Sequence, residues 1–370
     1  MKILICSNAF EHITNGPAKF VNLILKINEL YPDHEVRILT EDIIDDRNFV
    51  FPLKLTIPSL FKPFGQVIRM FLYHKEAMRI RKEEFEFDVL VYNNAFIGLW
   101  SALHFPQTVG MINDYSNAYA NFYNVLMRQS PFKRFIFKQF EKLSVVFLRR
   151  IITNSDYLTR ELQLIYSIPP YKISRLYKAI EAPIKYKNTT MLNHPVNILF
   201  VKTDYQTGGL MDLFEALTNV NFEYHLFVVG PGQAHYLTLE KKIRDLGIHC
   251  TLCGRKSSSD VSLLMMDSDI FCVPSHKEAL GVANIEAMAR GLAVVSSNAG
   301  GIPEVLDYGN NGWIVPVANP NALSKALNEC VFNEEMRKEK IRHAMSFAQR
   351  FSERQMFQNF TDIISSVRHG

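Results

Sequence analysis

Two carboxylates, Glu278 and Glu286, stand in the stretch PSHKEALGVANIEAMARGLAVVSSNAGGIP, which runs from Pro274 to Pro303. What they can do depends on the elements that hold them. Asp269–Val273 is a short apolar run and reads as a buried strand, ended by Pro274 and Ser275. Gly281 frees the backbone to turn. From Ala283 the spacing of Ile285, Met288, Ala289 and Leu292 predicts one apolar helix face, with Glu286 in the first turn and Gly291 as the stop. A second strand, Ala293–Ser296, follows. Gly300-Gly301 then leads to Pro303-Glu304, where proline suits the first turn of a new helix. A strand, loop and helix in this order put free backbone N–H groups and the positive end of a helix dipole at the carboxyl edge of a sheet. That is an anion site, and phosphate is its usual guest. Carboxylates do not bind phosphate; they accept hydrogen bonds from hydroxyls beside it. A plainer reading makes Glu286 a dipole-favouring helix residue and Glu278 a solvated loop residue. Spacing alone does not separate the two readings.

The wider wording does more. PS-x-x-E-x-x-G-x-x-x-x-E-A-M-A-x-G, followed by apolar residues and GG-x-P-E, resembles the nucleotide-sugar-dependent glycosyltransferases of family 4. The resemblance implies an α/β fold of the GT-B kind, two Rossmann-like domains facing a central cleft. It implies that Glu278 contacts hydroxyls of a donor sugar and that Glu286 holds the donor ribose. The backbone of Leu280, Gly281 and Val282 would face the diphosphate. The implied reaction moves a sugar from a nucleotide sugar, UDP-linked, to an acceptor hydroxyl with retention and without a metal or other cofactor. The two glutamates would then position the donor and not serve as the acid and base of a hydrolase.

The chain has 370 residues, which suggests two domains, and its 48% hydrophobic and 21% charged content is that of a globular protein. A net charge of +4 suits an anionic substrate or membrane surface without requiring either. Five cysteines with one lone C-x-x-C, Cys250 and Cys253, argue against zinc and for a reducing, cytoplasmic setting. MKILICSNAF is too short in its apolar part for a signal peptide. The uncharged run Val89–Asn113 is broken by asparagines, His104 and Pro106, so no transmembrane helix is expected.

Lys2–Ser7 reads as a first parallel strand, followed by a polar loop Glu11–Pro17 and an amphipathic helix bearing Phe20, Val21, Leu23, Ile24, Ile27 and Leu30. With a second strand at Glu35–Thr40 this order predicts a doubly wound sheet. By the resemblance, Gly16 lies where a glycine loop faces the donor phosphates. Phe61–Lys82 and Phe132–Arg150 mix aromatics with basic residues. Each reads as an ordinary amphipathic helix, or as a face for an anionic membrane that brings the protein to a lipid-linked acceptor. No recognition motif points to nucleic acid. Strands at Asp88–Tyr92 and Thr108–Ile112 end in polar residues. Asn113, followed by Asp114, stands where many family members place a histidine, and the resemblance makes the two catalytic candidates; the other reading is a strand-end turn. Asn113 can hydrogen-bond a sugar hydroxyl but cannot take a proton.

Domain boundaries are expected at 1–182 for the acceptor domain and 183–345 for the donor domain, with a tail helix 346–370 packing back on the first. In the second half, Gly230 ends a predicted strand and Arg255 follows another; the resemblance puts both near the donor. One departure stands out. Where the family carries Gly-Arg and then Lys-Gly, this chain has Lys202-Thr203 and Gly208-Gly209. Both expected cations are missing from their places, although leaving-group charge is the main electrostatic demand of such a reaction. Lys202, one place before Thr203, is the candidate substitute, with Arg255, Lys277 and Lys178 behind it, yet strand alternation would point Lys202 away from where the family's Arg points. The missing G-x-G-x-x-G after the first strand argues against a nicotinamide oxidoreductase, and the Glu spacing against an epimerase or phosphorylase of the same fold. The remaining alternative is a degenerate member that binds a sugar nucleotide or a partner without turnover. A bacterial surface-polysaccharide pathway at the inner membrane face is the expected setting, by analogy.

Overall fold

The computed structural model describes residues 1–10, 16–30, 32, 34–42, 49–55, 65–113, 131–181, 183, 186 and 191–368. The chain divides into two compact units, 1–178 together with 353–370, and 179–352. Each is a Rossmann-like domain of helices around a wholly parallel sheet.

In the first unit the strands are β1 (Lys2–Ser7), β2 (Glu35–Thr40), β3 (Val50–Pro52), β4 (Val89–Tyr92), β5 (Thr108–Ile112), β6 (Arg150–Thr153) and β7 (Ile173–Arg175), in the order β3-β2-β1-β4-β5-β6-β7. Strands β4 and β5 are buried at every position, and β1 at every position but its first. That burial is why they read as continuous apolar runs and not as alternating ones. The helix Gly16–Leu30 buries Ala18, Val21, Ile24 and Ile27 at helical spacing, while Leu30 is exposed at its end. Gly16 therefore opens a helix and is not in the loop expected to hold it. Arg150, expected in a helix, begins β6. The last helix, Glu353–Arg368, belongs to this unit: Phe360 packs edge-on against Phe20 at 5.6 Å, and Glu353 pairs with Lys26 at 2.9 Å. The preceding helix, Glu334–Ala348, lies in the second unit.

The second unit holds β8 (Val196–Val201), β9 (Tyr224–Val229), β10 (Cys250–Gly254), β11 (Ile270–Val273), β12 (Ala293–Ser297) and β13 (Trp313–Val315), in the order β10-β9-β8-β11-β12-β13. Asp269, just before β11 and 3% exposed, fastens the start of β8: its carboxylate accepts from the Asn193 N–H at 3.1 Å and the Asn197 N–H at 2.8 Å. Asp269→Ala leaves those donors without this acceptor. It is expected to lower stability by about 2–4 kcal/mol, read as a fall in the urea midpoint. A loss within error would mean that the two strands are joined by the ladder alone.

Candidate functional site

Strand β8 pairs with β9 on one side and β11 on the other. The chain therefore leaves the carboxyl ends of β8 and β11 in opposite senses and opens a crevice between them, the usual ligand site of such sheets. Three loops line it: 202–209 after β8, 230–232 after β9, and 274–281 after β11.

The third loop is tied down from below. Ser296 Oγ donates to the Val273 carbonyl at 2.7 Å, and Ser297 Oγ donates to that of Ser275. It is also latched to the first loop. The His276 N–H donates to the Thr207 carbonyl at 2.8 Å, and His276 Nε2 meets Asp212 Oδ2 at 2.6 Å. Neither His276 nor Asp212 stood out in the sequence, since nothing in spacing signals a contact across 64 positions.

Glu278 sits in this latched loop. One oxygen accepts from the Ala279 N–H at 3.1 Å, and the other meets Lys202 Nζ at 2.6 Å. Lys202 thus turns toward Glu278. The reason is local. Strand β8 ends at Val201, and the Lys202 carbonyl lies against the α-carbon of Gly230, whose φ is +123°. A Cβ on Gly230 would fall 2.2 Å from that oxygen. Beyond the ladder, loop geometry sets the direction of a side chain.

Leu280 is buried, and Gly281, at φ +92°, caps the helix Val282–Ala289. That helix begins one residue earlier than the periodicity suggested, so Glu286 is in its second turn and not its first. It stands half-buried, a turn away from the N-terminal N–H groups, which weakens the dipole account of it. Thr203 is exposed beside Lys202. Arg255 is exposed after β10, the outermost strand. The crevice between β8 and β11 therefore gathers Glu278, Lys202, Gly230 and the 280–282 backbone, while Arg255 stands at the sheet edge. The thiol of Cys250 on that edge strand is pushed up to about 12 by burial and by Cys253, so it stays protonated at neutral pH.

In the first unit the carboxyl edge is polar too. Asn113 Nδ2 donates to Asn93 Oδ1 at 3.1 Å, and Asn154 Nδ2 donates to the Asn113 carbonyl at 2.6 Å. Asn113 is thus held in an amide chain across β4, β5 and β6. Asp114 lies outside the described residues. Gly16 stands at the start of its helix. A cavity of about 80 Å³ opens at the ends of β1, β2 and β4, lined in part by Asn8, Glu41, Arg69, Tyr73 and Asn93. Glu41 binds Arg69 at 3.1 Å and accepts from Tyr73 Oη at 3.2 Å. Burial, then the Glu41 charge, raises the Tyr73 hydroxyl well above its usual range and keeps it a donor. These residues lie outside any wording that marks a site.

The model of the family Glycosyl transferases group 1 matches residues 187–346. The second unit carries a group 1 glycosyl transferase domain. The crevice of Glu278 and Lys202 belongs to this group 1 domain. The chain is also similar to the amylovoran biosynthesis glycosyltransferase of Erwinia amylovora, 33% identical over 43% of this chain and 42% of that one. It spans less than half the length of the curated relatives it matches. Among solved structures, the sucrose-phosphate synthase of Thermosynechococcus elongatus superposes with a TM-score of 0.79 at 14% identity, over 99% of both chains. Anabaena HepE in complex with UDP-glucose superposes with a TM-score of 0.71 at 18% identity, over 99% of this chain and 100% of that one. These likenesses establish the fold: two Rossmann-like domains of the GT-B kind, the second being the group 1 domain.

Proposed function

We propose that this chain is a retaining glycosyltransferase that moves a sugar from a nucleotide sugar, UDP-linked, to a hydroxyl of a glycan or lipid-linked acceptor, without a metal. The observation that carries the reading is the pair of Glu278 and Lys202 at the switch point of the second sheet. It sets a carboxylate that can accept from hydroxyls beside an ammonium that can bind phosphate, the two kinds of group that a sugar diphosphate needs. The UDP-glucose held by HepE supports the donor class, and the amylovoran relative supports polysaccharide synthesis as the setting. Glu278 would hold donor-sugar hydroxyls, Glu286 the ribose, and the Leu280–Val282 backbone the diphosphate. Lys202 stands in for the cations missing at Thr203 and Gly208. Asn113 would orient a sugar hydroxyl. The chemistry is a front-face displacement in which the leaving phosphate helps to take the acceptor proton.

The test is a screen of nucleotide sugars for release of free nucleotide, with membrane extract as the acceptor source. Slow release from one donor, lost in Glu278→Ala, supports the reading. Tight binding without release would instead favour a non-catalytic binder of sugar nucleotides. Absence of both would overturn the proposal.

The acceptor setting we favour is an anionic membrane surface. On the helix Pro131–Phe147, Phe135, Leu143, Val146 and Phe147 are exposed beside Lys138 and Lys142, while Glu141, its one carboxylate, is buried. An apolar stripe flanked by cations fits a bilayer interface. Among the described residues no helix is long and apolar enough to cross a membrane. The protein should sediment with phosphatidylglycerol vesicles and not with phosphatidylcholine. Leu143→Ser with Phe147→Ser should cut that binding about tenfold or more. Equal binding by the double variant would remove this face from the account.

A further inference from the structure

The Lys202 ammonium is a single positive charge with two claimants. Its present partner is Glu278, at 2.6 Å, with the two side chains only 27% and 22% exposed. Its path to that partner is narrow. The side chain crosses Gly208 so closely that a Cβ there would fall 2.9 Å from Lys202 Cγ, 3.0 Å from its Cβ, and 2.7 Å from Phe200 Cζ. The backbone is fixed as well, since the Lys202 N–H donates to the Val229 carbonyl at 3.0 Å and its carbonyl rests on Gly230. Lys202 is therefore delivered to Glu278 by the fold, and movement is left to the far end of its side chain.

We propose that Glu278 and the donor's diphosphate compete for Lys202, so that the site discriminates a nucleotide sugar from the bare nucleoside diphosphate. The inference rests on the donor reading above. When a nucleotide sugar enters, its hydroxyls donate to Glu278 in place of the ammonium. Lys202 is then released to the diphosphate, and both groups remain partnered. A nucleoside diphosphate brings no such hydroxyls. It must either draw Lys202 away at the cost of the ion pair with Glu278, or bind without the cation. Once the sugar has been transferred, Glu278 reclaims Lys202 and the hold on the product weakens. Gly208 belongs to the same device, because only a residue without a side chain leaves Lys202 its path.

The consequence has an unusual sign: damage to Glu278 should improve binding of the product. The experiment is calorimetric titration of the full chain with UDP and with UDP-glucose, and in parallel with GDP and GDP-mannose. The wild type, Glu278→Gln, Lys202→Met and the double variant are compared. Glu278→Gln is expected to bind the nucleoside diphosphate about threefold to tenfold tighter than wild type, with no gain for the nucleotide sugar. In the Lys202→Met background the Glu278→Gln gain should vanish. Gly208→Ala should weaken the diphosphate as Lys202→Met does while keeping the charge. Nucleoside diphosphate affinity unchanged or weakened in a folded Glu278→Gln protein overturns the competition. If that happens while the wild type still releases nucleotide from a donor, the transferase reading survives it. If the folded wild type binds neither the nucleoside diphosphates nor the nucleotide sugars, both fail.

Discussion

Gly230→Ala is expected to cost the second unit about 3 kcal/mol or more. Two penalties add. The backbone there has φ +123°, which an L side chain rarely adopts, and the new Cβ would lie 2.2 Å from the Lys202 carbonyl oxygen and 2.8 Å from the Thr203 nitrogen. Those atoms are backbone at the end of a central strand and cannot swing aside. The control lies two residues on. Gly232 has φ −77° and ψ 161°, and a Cβ there meets nothing within 4 Å. Gly232→Ala should be neutral, or stabilising by roughly 0.5 kcal/mol through the unfolded chain. Urea unfolding of the two variants measures the contrast. Equal stabilities would show that the loops after β8 and β9 are not closely fitted.

Glu278→Ala should lower nucleotide release, measured as kcat/KM, by about 100-fold or more while leaving the melting temperature nearly unchanged. The two halves have separate causes. A group that holds the reacting sugar in place contributes on the order of 100-fold through positioning. The ion pair it makes with Lys202 is partly exposed, and such a pair is worth about 0–1 kcal/mol of stability. A merely structural Glu278 would reverse the pattern, lowering stability with little effect on release. Release within threefold of wild type would remove Glu278 from the donor site.

Much of the fold was legible in the sequence, because a strand covered on both faces must be apolar throughout. Ile3–Cys6, Val89–Tyr92 and Ile270–Val273 obey that rule. The helix after Gly281 was legible from its apolar spacing, but its first turn was not. Periodicity marks buried positions, and the cap at Gly281 starts the helix at Val282, ahead of its first buried residue, Asn284. The contact of Lys202 with Glu278 was not legible. Alternation describes a residue inside a ladder, and Lys202 is the first residue beyond one. Its side chain passes Gly208 and its carbonyl faces Gly230, contacts that no local pattern encodes. The pairing of His276 with Asp212, and of Glu41 with Arg69 and Tyr73, was hidden for the same reason. Each joins the loop after a strand to a helix remote in sequence.

The first unit is made of two pieces of sequence, 1–178 and 353–370, whereas the second is one continuous piece, 179–352. On the ribosome this fixes an order. The seven strands of the first unit emerge early, but the helix that carries Phe360 onto Phe20 is translated only after the whole second unit. Until then Phe20 lacks its ring partner Phe360, and Lys26 lacks Glu353. The second unit can close as soon as its own residues are out, so it completes first although it is made second. A nascent chain stalled near residue 352 would present a finished second unit attached to a first unit that still lacks its last helix.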